Sequence, residues 1–142
     1  MQFVLDCSVA ISWCLVDEND DYADAILTMM PDSEAFVPGI WSLEIANTLV
    51  VAERRNRMIT KQSEQAIALL QSLLIQVDLF TDAKALNATL KLARQEGLAA
   101  YDAAYLELAL RLQLPLATTL DTRLAEAATR CGVGLVVVEK ET

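Results

Sequence analysis

The sequence predicts an α/β fold in which a parallel sheet of about five short strands is covered by helices on both faces. Two observations predict it. Short apolar runs, among them Phe3-Val4-Leu5, Ala35-Phe36-Val37 and Leu135-Val136-Val137-Val138, alternate with segments of helical periodicity. These runs are apolar at consecutive rather than alternate positions, the pattern of strands buried on both sides. A third observation orients the sheet. The first run ends in Asp6-Cys7-Ser8, a carboxylate at a strand's end before a helix, where open α/β sheets place their ligands.

The elements follow in order. Val9 to Val16 reads as a short apolar helix, with Ser8 placed to cap it. The acidic run Asp17-Glu18-Asn19-Asp20-Asp21 opens a second helix from Tyr22 to Met30, where acids complement the helix dipole. Pro31-Asp32-Ser33 ends it, and Ala35-Phe36-Val37 forms the second strand. Ile40 to Arg57 is a long helix with Trp41, Ile45, Leu49 and Ala52 on one face. Thr60 is placed to cap the next helix. Gln76 to Phe80 reads as a third strand, and Thr81-Asp82 begins a helix that reaches Gln95 before Gly97 stops it. Ala99 to Leu112 is apolar almost all round, hence a buried helix. Pro115 to Thr118 gives a fourth strand, Arg123 to Arg130 a short helix, and Leu135 to Val138 the last strand.

The chain has 142 residues, one domain over 1–142 with enough length for a sizeable core. Its 20 acids against 11 bases give a net charge of -9, which argues against a membrane-surface protein or a generally basic nucleic-acid module. Histidine is absent, which excludes Ser-His-Asp and Cys-His catalysis and imidazole zinc sites. The three cysteines, Cys7, Cys14 and Cys131, are widely spaced and read as small buried apolar residues; their odd number suits a reducing cytoplasm. No targeting segment and no membrane span are expected.

Four acids sit poorly with a solvated surface. Asp6 stands at the strand edge already described. Glu44 lies within the long helix in a sector shared with Ile40, Trp41, Thr48 and Val51, and Asn47 is within hydrogen-bonding reach on the same face. Asp102 opens the most apolar helix, beside Tyr105, Leu106 and Ala109. Asp121 follows the fourth strand in Thr119-Leu120-Asp121. Each has a plain alternative: a strand end at the surface, a boundary glutamate with its stem on the core, a first-turn aspartate, a helix cap. Together at the edge of one sheet they form a different pattern. Clustered carboxylates ionise side by side only with cations between them. Oxygen donors without His or Cys select hard ions, Mg²⁺ or Mn²⁺, which serve phosphoryl chemistry.

These residues, Asp6 in Val4-Leu5-Asp6-Cys7-Ser8, Glu44 in Leu43-Glu44-Ile45-Ala46-Asn47, Asp102 in Tyr101-Asp102-Ala103 and Asp121 in Thr119-Leu120-Asp121, resemble the acidic quartet of PIN-domain ribonucleases. The likeness is greatest to the VapC toxins of prokaryotic toxin–antitoxin pairs and covers essentially the whole chain. It implies a PIN-like three-layer α/β/α sandwich and a Mg²⁺-dependent endoribonuclease, cytoplasmic and dimeric, silenced by an antitoxin protein. On that resemblance Asp6 and Asp102 are the principal metal ligands. Glu44 and Asp121 complete the site, and Ser8 and Thr119 support the acids or a phosphate through their hydroxyls.

The net charge departs from what an RNA-cleaving member leads one to expect. The one dense basic segment is Arg54-Arg55-Asn56-Arg57, at the end of the long helix and about 15 Å along it from Glu44. It reads either as a phosphate contact or as a solvated helix end whose cations complement the dipole. Two other functions compete with the nuclease. One is a receiver-like phosphoacceptor, with Lys140 after the last strand, although Asp6 lacks the acidic neighbours of that site. The other is a PIN-like domain kept for binding alone.

Overall fold

The computed structural model describes residues 1–119 and 122–138. Asp121 and Lys140 therefore lie outside the described residues. The sheet is built of β1 (Gln2–Leu5), β2 (Glu34–Val37), β3 (Ile75–Val77) and β4 (Leu116–Ala117), all parallel, in the order β3-β2-β1-β4. Phe3, Val4 and Leu5 have no exposed surface, as a strand covered on both faces requires. β3 lies at an edge, and there the pattern opens: Gln76 and Val77 are exposed.

Helices flank this sheet in two groups. α1 (Cys7–Cys14) packs against α2 (Asp21–Met29), α3 (Trp41–Arg54) and α4 (Thr60–Ser72). The second group is α5 (Thr81–Lys84), a π-helical turn (Ala85–Thr89), α6 (Leu90–Glu96), α7 (Ala100–Leu112) and α8 (Arg123–Arg130). α7 lies against β1 and β4, and every residue from Ala103 to Ala109 is buried. The face expected of α3 is the one it buries: Trp41, Ile45, Leu49 and Ala52. Gly97 ends α6 with φ at 66°, the left-handed region that a side chain disfavours, and the Leu98 N–H returns to the Ala93 carbonyl at 3.0 Å. No described helix is long and apolar enough to cross a membrane.

Four expectations need correction. The final strand is a single parallel bridge, Leu135 to Leu116, and the Val136 carbonyl beyond it accepts from the Tyr22 hydroxyl at 2.8 Å. Leu116 donates to the Gly134 carbonyl and accepts from the Val136 N–H, each at 2.9 Å. Ser8 does not cap α1: Asp6 is the N-cap residue, and the Ser8 hydroxyl turns back to its carboxylate. Thr60 begins α4 rather than capping it; Ile59 precedes the helix, and its N–H is taken by the Gln62 side chain at 3.0 Å. The third strand stops at Val77; the Asp78 N–H still reaches the Val37 carbonyl at 2.8 Å, and its side chain enters a polar network.

That network holds the edge of the sheet to α7. Arg111 donates to both oxygens of Asp78, at 3.1 and 2.7 Å, and to both of Glu107, at 2.7 and 3.1 Å. Thr81 donates to Asp78 at 3.0 Å and accepts from the Gly39 N–H at 2.8 Å. The two carboxylate side chains are each 9% exposed and Arg111 is 23% exposed. Burial pushes the Asp78 carboxyl up, but the Arg111 guanidinium and the Thr81 hydroxyl outweigh it and leave it below the ordinary value of 3.8. A depressed carboxyl contributes stability that is present above its unfolded pKa and lost as pH falls through its folded one. Arg111→Met should therefore cost about 3 kcal/mol near neutral pH, since it leaves two buried carboxylates without their cation. In urea unfolding at a series of pH values, the difference from wild type should shrink below pH 3.8. A difference independent of pH would show that Asp78 does not carry it.

Candidate active site

Asp6 is set by the sheet itself. Its N–H donates to the Ala117 carbonyl at 2.9 Å, so the end of β1 is locked beside the end of β4. Its side chain is 8% exposed, and an isolated carboxylate so buried is costly. Two hydroxyls compensate. Ser8 Oγ and Thr118 Oγ1 both donate to Oδ2, at 2.6 and 2.7 Å. Thr119 Oγ1 donates in turn to Ser8 Oγ at 3.1 Å, so Thr119 reaches the acid through Ser8. Burial pushes the Asp6 carboxyl above its ordinary value; these hydroxyls and the Cys7 and Ser8 N–H groups offset part of the rise.

Glu44 sits in the first turn of α3 and accepts from the Tyr105 hydroxyl at 2.7 Å. Tyr105 is 1% exposed and belongs to the core of α7, so one buried phenol ties the two helices together at the acids. Asp102 is half-buried in the first turn of the same helix. Both carboxyls are raised. For Glu44 the causes are burial first and then, against the Tyr105 hydrogen bond, the charges of Asp6 and Asp102. For Asp102 they are burial and the charge of Asp6. Cys7 and Tyr105 feel the same field: each is pushed well up, by burial and by Glu44 and Asp6. Three acids far apart in sequence thus share one negative region.

The donor set suits a hard divalent ion in type, being carboxylate oxygen throughout. The mutual repulsion of Asp6, Glu44 and Asp102 is what a cation would relieve. Among the described residues, however, no three Cys, Asp or Glu side chains stand close enough to enclose a metal ion. The expected fourth acid, Asp121, lies outside the described residues.

Of the supporting residues expected from the sequence, Ser8 touches Asp6 and Thr119 touches Ser8. Asn47 is exposed, and the side-chain hydrogen bond that Glu44 receives comes from Tyr105. Arg54 and Arg55 are exposed at the end of α3. Arg57 is engaged elsewhere: it donates twice to Asp17, both at 2.9 Å, and stands 3.7 Å from Glu18. Sequence reading missed two residues. Thr118 was legible only as the end of an apolar strand, and Tyr105 only as an apolar neighbour of Asp102.

The PIN domain family model matches residues 3–129, nearly the whole of this architecture. The chain belongs to the PIN-domain family. PIN domains are generally nucleases. No curated protein matches this PIN domain significantly. Among solved structures, it is similar to PAE2754 from Pyrobaculum aerophilum, with a TM-score of 0.63 at 21% identity over 89% of this chain and 87% of the other. It is also similar to FitAcB from Neisseria gonorrhoeae, with a TM-score of 0.50 at 23% identity over 95% of this chain and 96% of the other. At these identities the likeness is one of fold.

The hydroxyl pair on Asp6 is directly testable. Thr118 is fully buried, so Thr118→Val should cost about 1–3 kcal/mol by leaving the carboxylate short of a donor. Thr119→Val should cost less, since Thr119 is only partly buried and reaches Asp6 through Ser8. Chemical denaturation of both variants without metal would check the order. Equal losses would mean that contact with Asp6 is not what Thr118 contributes.

Proposed function

We propose that this PIN domain is a metal-dependent endoribonuclease, the toxin component of a toxin–antitoxin pair. The observation that carries the reading is Asp6: a buried carboxylate at the end of the central strand, held by two hydroxyls and within the field of Glu44 and Asp102. Asp78 and Glu107, whose carboxylates are similarly buried, are paired with a cation, Arg111. Asp6 has hydroxyls instead and like charges around it.

In this reading Asp6, Glu44 and Asp102, with Asp121 beyond the described residues, hold Mg²⁺ or Mn²⁺. The ion, when bound, supplies electrophilic stabilisation of the charge that develops on the phosphodiester. The chain's own groups do the positioning. Ser8 and Thr118 fix the Asp6 carboxylate, and Tyr105 fixes Glu44, so the acids need little reorganisation. Arg54 and Arg55 contact backbone phosphates away from the acids, which positions RNA without selecting sequence. Arg57 joins them only if it leaves Asp17.

The same reading makes the antitoxin a protein partner and the domain a homodimer. Leu79, Phe80 and Leu86 support it: three large apolar side chains within eight residues of sequence are exposed by 87%, 62% and 88%.

The deciding experiment compares purified wild type and Asp6→Asn on total RNA, with Mg²⁺ and with EDTA. Wild type should cleave only with the metal, and Asp6→Asn should cleave at least a hundred-fold more slowly (roughly, the order lost with one electrostatic group) while keeping its circular dichroism. Cleavage by Asp6→Asn at the wild-type rate would end the proposal. Separately, Arg54→Glu combined with Arg55→Glu should weaken RNA binding and flatten its dependence on salt. An unchanged salt slope would place the RNA path elsewhere.

A further inference from the structure

Resting on the ribonuclease reading, we propose that Tyr101 is the platform on which an unpaired base of the RNA stacks beside the acids. Tyr101 stands in the first turn of α7, immediately before Asp102, and is 65% exposed. The helix is exposed at Ala100 and Tyr101 and buried from Ala103 to Ala109, so the ring stands at the solvent-facing end of the helix that carries Asp102. Its position relative to the acids follows from helix geometry. Residues four apart share a helix face, and four residues on from Tyr101 is Tyr105, whose hydroxyl is bonded to Glu44. Tyr101 therefore lies one turn above the Tyr105–Glu44 contact, on the side of α7 that faces the acidic centre. Leu43, next to Glu44 in α3, is a second exposed apolar side chain adjacent in sequence to one of the acids, at 74% exposed.

The charge balance gives such a platform its purpose. A chain of net charge -9 attracts a polyanion poorly. Several of its cations are already committed to carboxylates: Arg57 to Asp17, Arg111 to Asp78 and Glu107, Arg130 to Glu96. Base–aromatic stacking gives affinity that does not depend on positive charge, and it requires a base free of a duplex. Tyr101 would thus hold a single-stranded nucleotide next to the scissile phosphate and favour the bases that stack best.

The test uses a short single-stranded RNA carrying 2-aminopurine at each position in turn, whose emission falls when the base stacks. Binding is measured with Mg²⁺ in the Asp6→Asn background, alone and with Tyr101→Ala or Tyr101→Phe. One labelled position should be quenched with Asp6→Asn alone and with Tyr101→Phe added. With Tyr101→Ala the quenching should disappear and affinity fall about ten-fold, the size of one stack, at an unchanged melting temperature. Equal quenching and affinity with Tyr101→Ala, or no quenching at any position, would overturn the proposal. Cleavage of the same RNA by proteins with Asp6 intact is scored separately. A Tyr101-dependent stack without cleavage by wild type would refute the ribonuclease reading alone, and cleavage with no Tyr101 dependence would refute the stack alone.

Discussion

The architecture depends on holding a carboxyl group where the sheet buries it. Asp6 closes the central strand, between β2 on one side and β4 on the other, and its backbone is held by the Ala117 carbonyl. The chain meets the desolvation of that side chain with Ser8 and Thr118, one from the helix that follows and one from the strand beside it. It then adds to the difficulty by bringing Glu44 and Asp102 within range. Such an arrangement lowers the stability of the isolated domain, since each raised carboxyl binds its proton more tightly folded than unfolded and so costs stability as pH rises from its unfolded value through its folded one. Sites where stability is given up in this way are where function is expected.

Elsewhere the same chain handles acids conventionally. Asp20 caps α2, accepting from the Tyr22 and Ala23 N–H groups at 2.9 and 3.1 Å. Asp17 and Glu18 clasp Arg57, joining the α1–α2 loop to the end of α3. Asp78 and Glu107 share Arg111. The contrast with the paired acids marks out the acidic centre: Asp17, Asp78 and Glu107 meet a guanidinium, whereas the donors on Asp6 and Glu44 are neutral, hydroxyls and, for Asp6, the Cys7 and Ser8 N–H groups. Hydroxyl donors hold a carboxylate in place without neutralising it, which leaves its charge available to a cation.

Much of this was legible in the sequence because it rests on local patterns. Consecutive apolar residues in Phe3-Val4-Leu5 marked the doubly covered strand, the helical spacing of Trp41, Ile45, Leu49 and Ala52 marked the buried face of α3, and Gly97 marked a helix end. The acids were visible as polar residues in apolar sectors. What was hidden depends on tertiary partners. Nothing local distinguishes Tyr105 from the other apolar residues of α7, or says that Asn47 would point to solvent while a tyrosine 61 positions from Glu44 takes its carboxylate. The length of the last strand was also unreadable, because Val136 to Val138 is a good strand sequence and the Tyr22 hydroxyl that takes the Val136 carbonyl lies 114 positions away. Arg57 looked like its neighbours Arg54 and Arg55 until the fold brought Asp17 to it.

The central proposal is that Asp6, Glu44 and Asp102, with Asp121 beyond the described residues, take up one divalent cation. The melting temperature of the metal-free protein titrated with Mg²⁺ tests it most directly, with Asp102→Ala beside wild type. An ion that binds only the folded acids at a hundred times its dissociation constant adds about 2.7 kcal/mol, roughly 10 °C for a chain of this size. Wild type should rise continuously with concentration, and Asp102→Ala should lose most of the increment. Equal increments in the two proteins would contradict the account, because the ion would then be bound away from these acids.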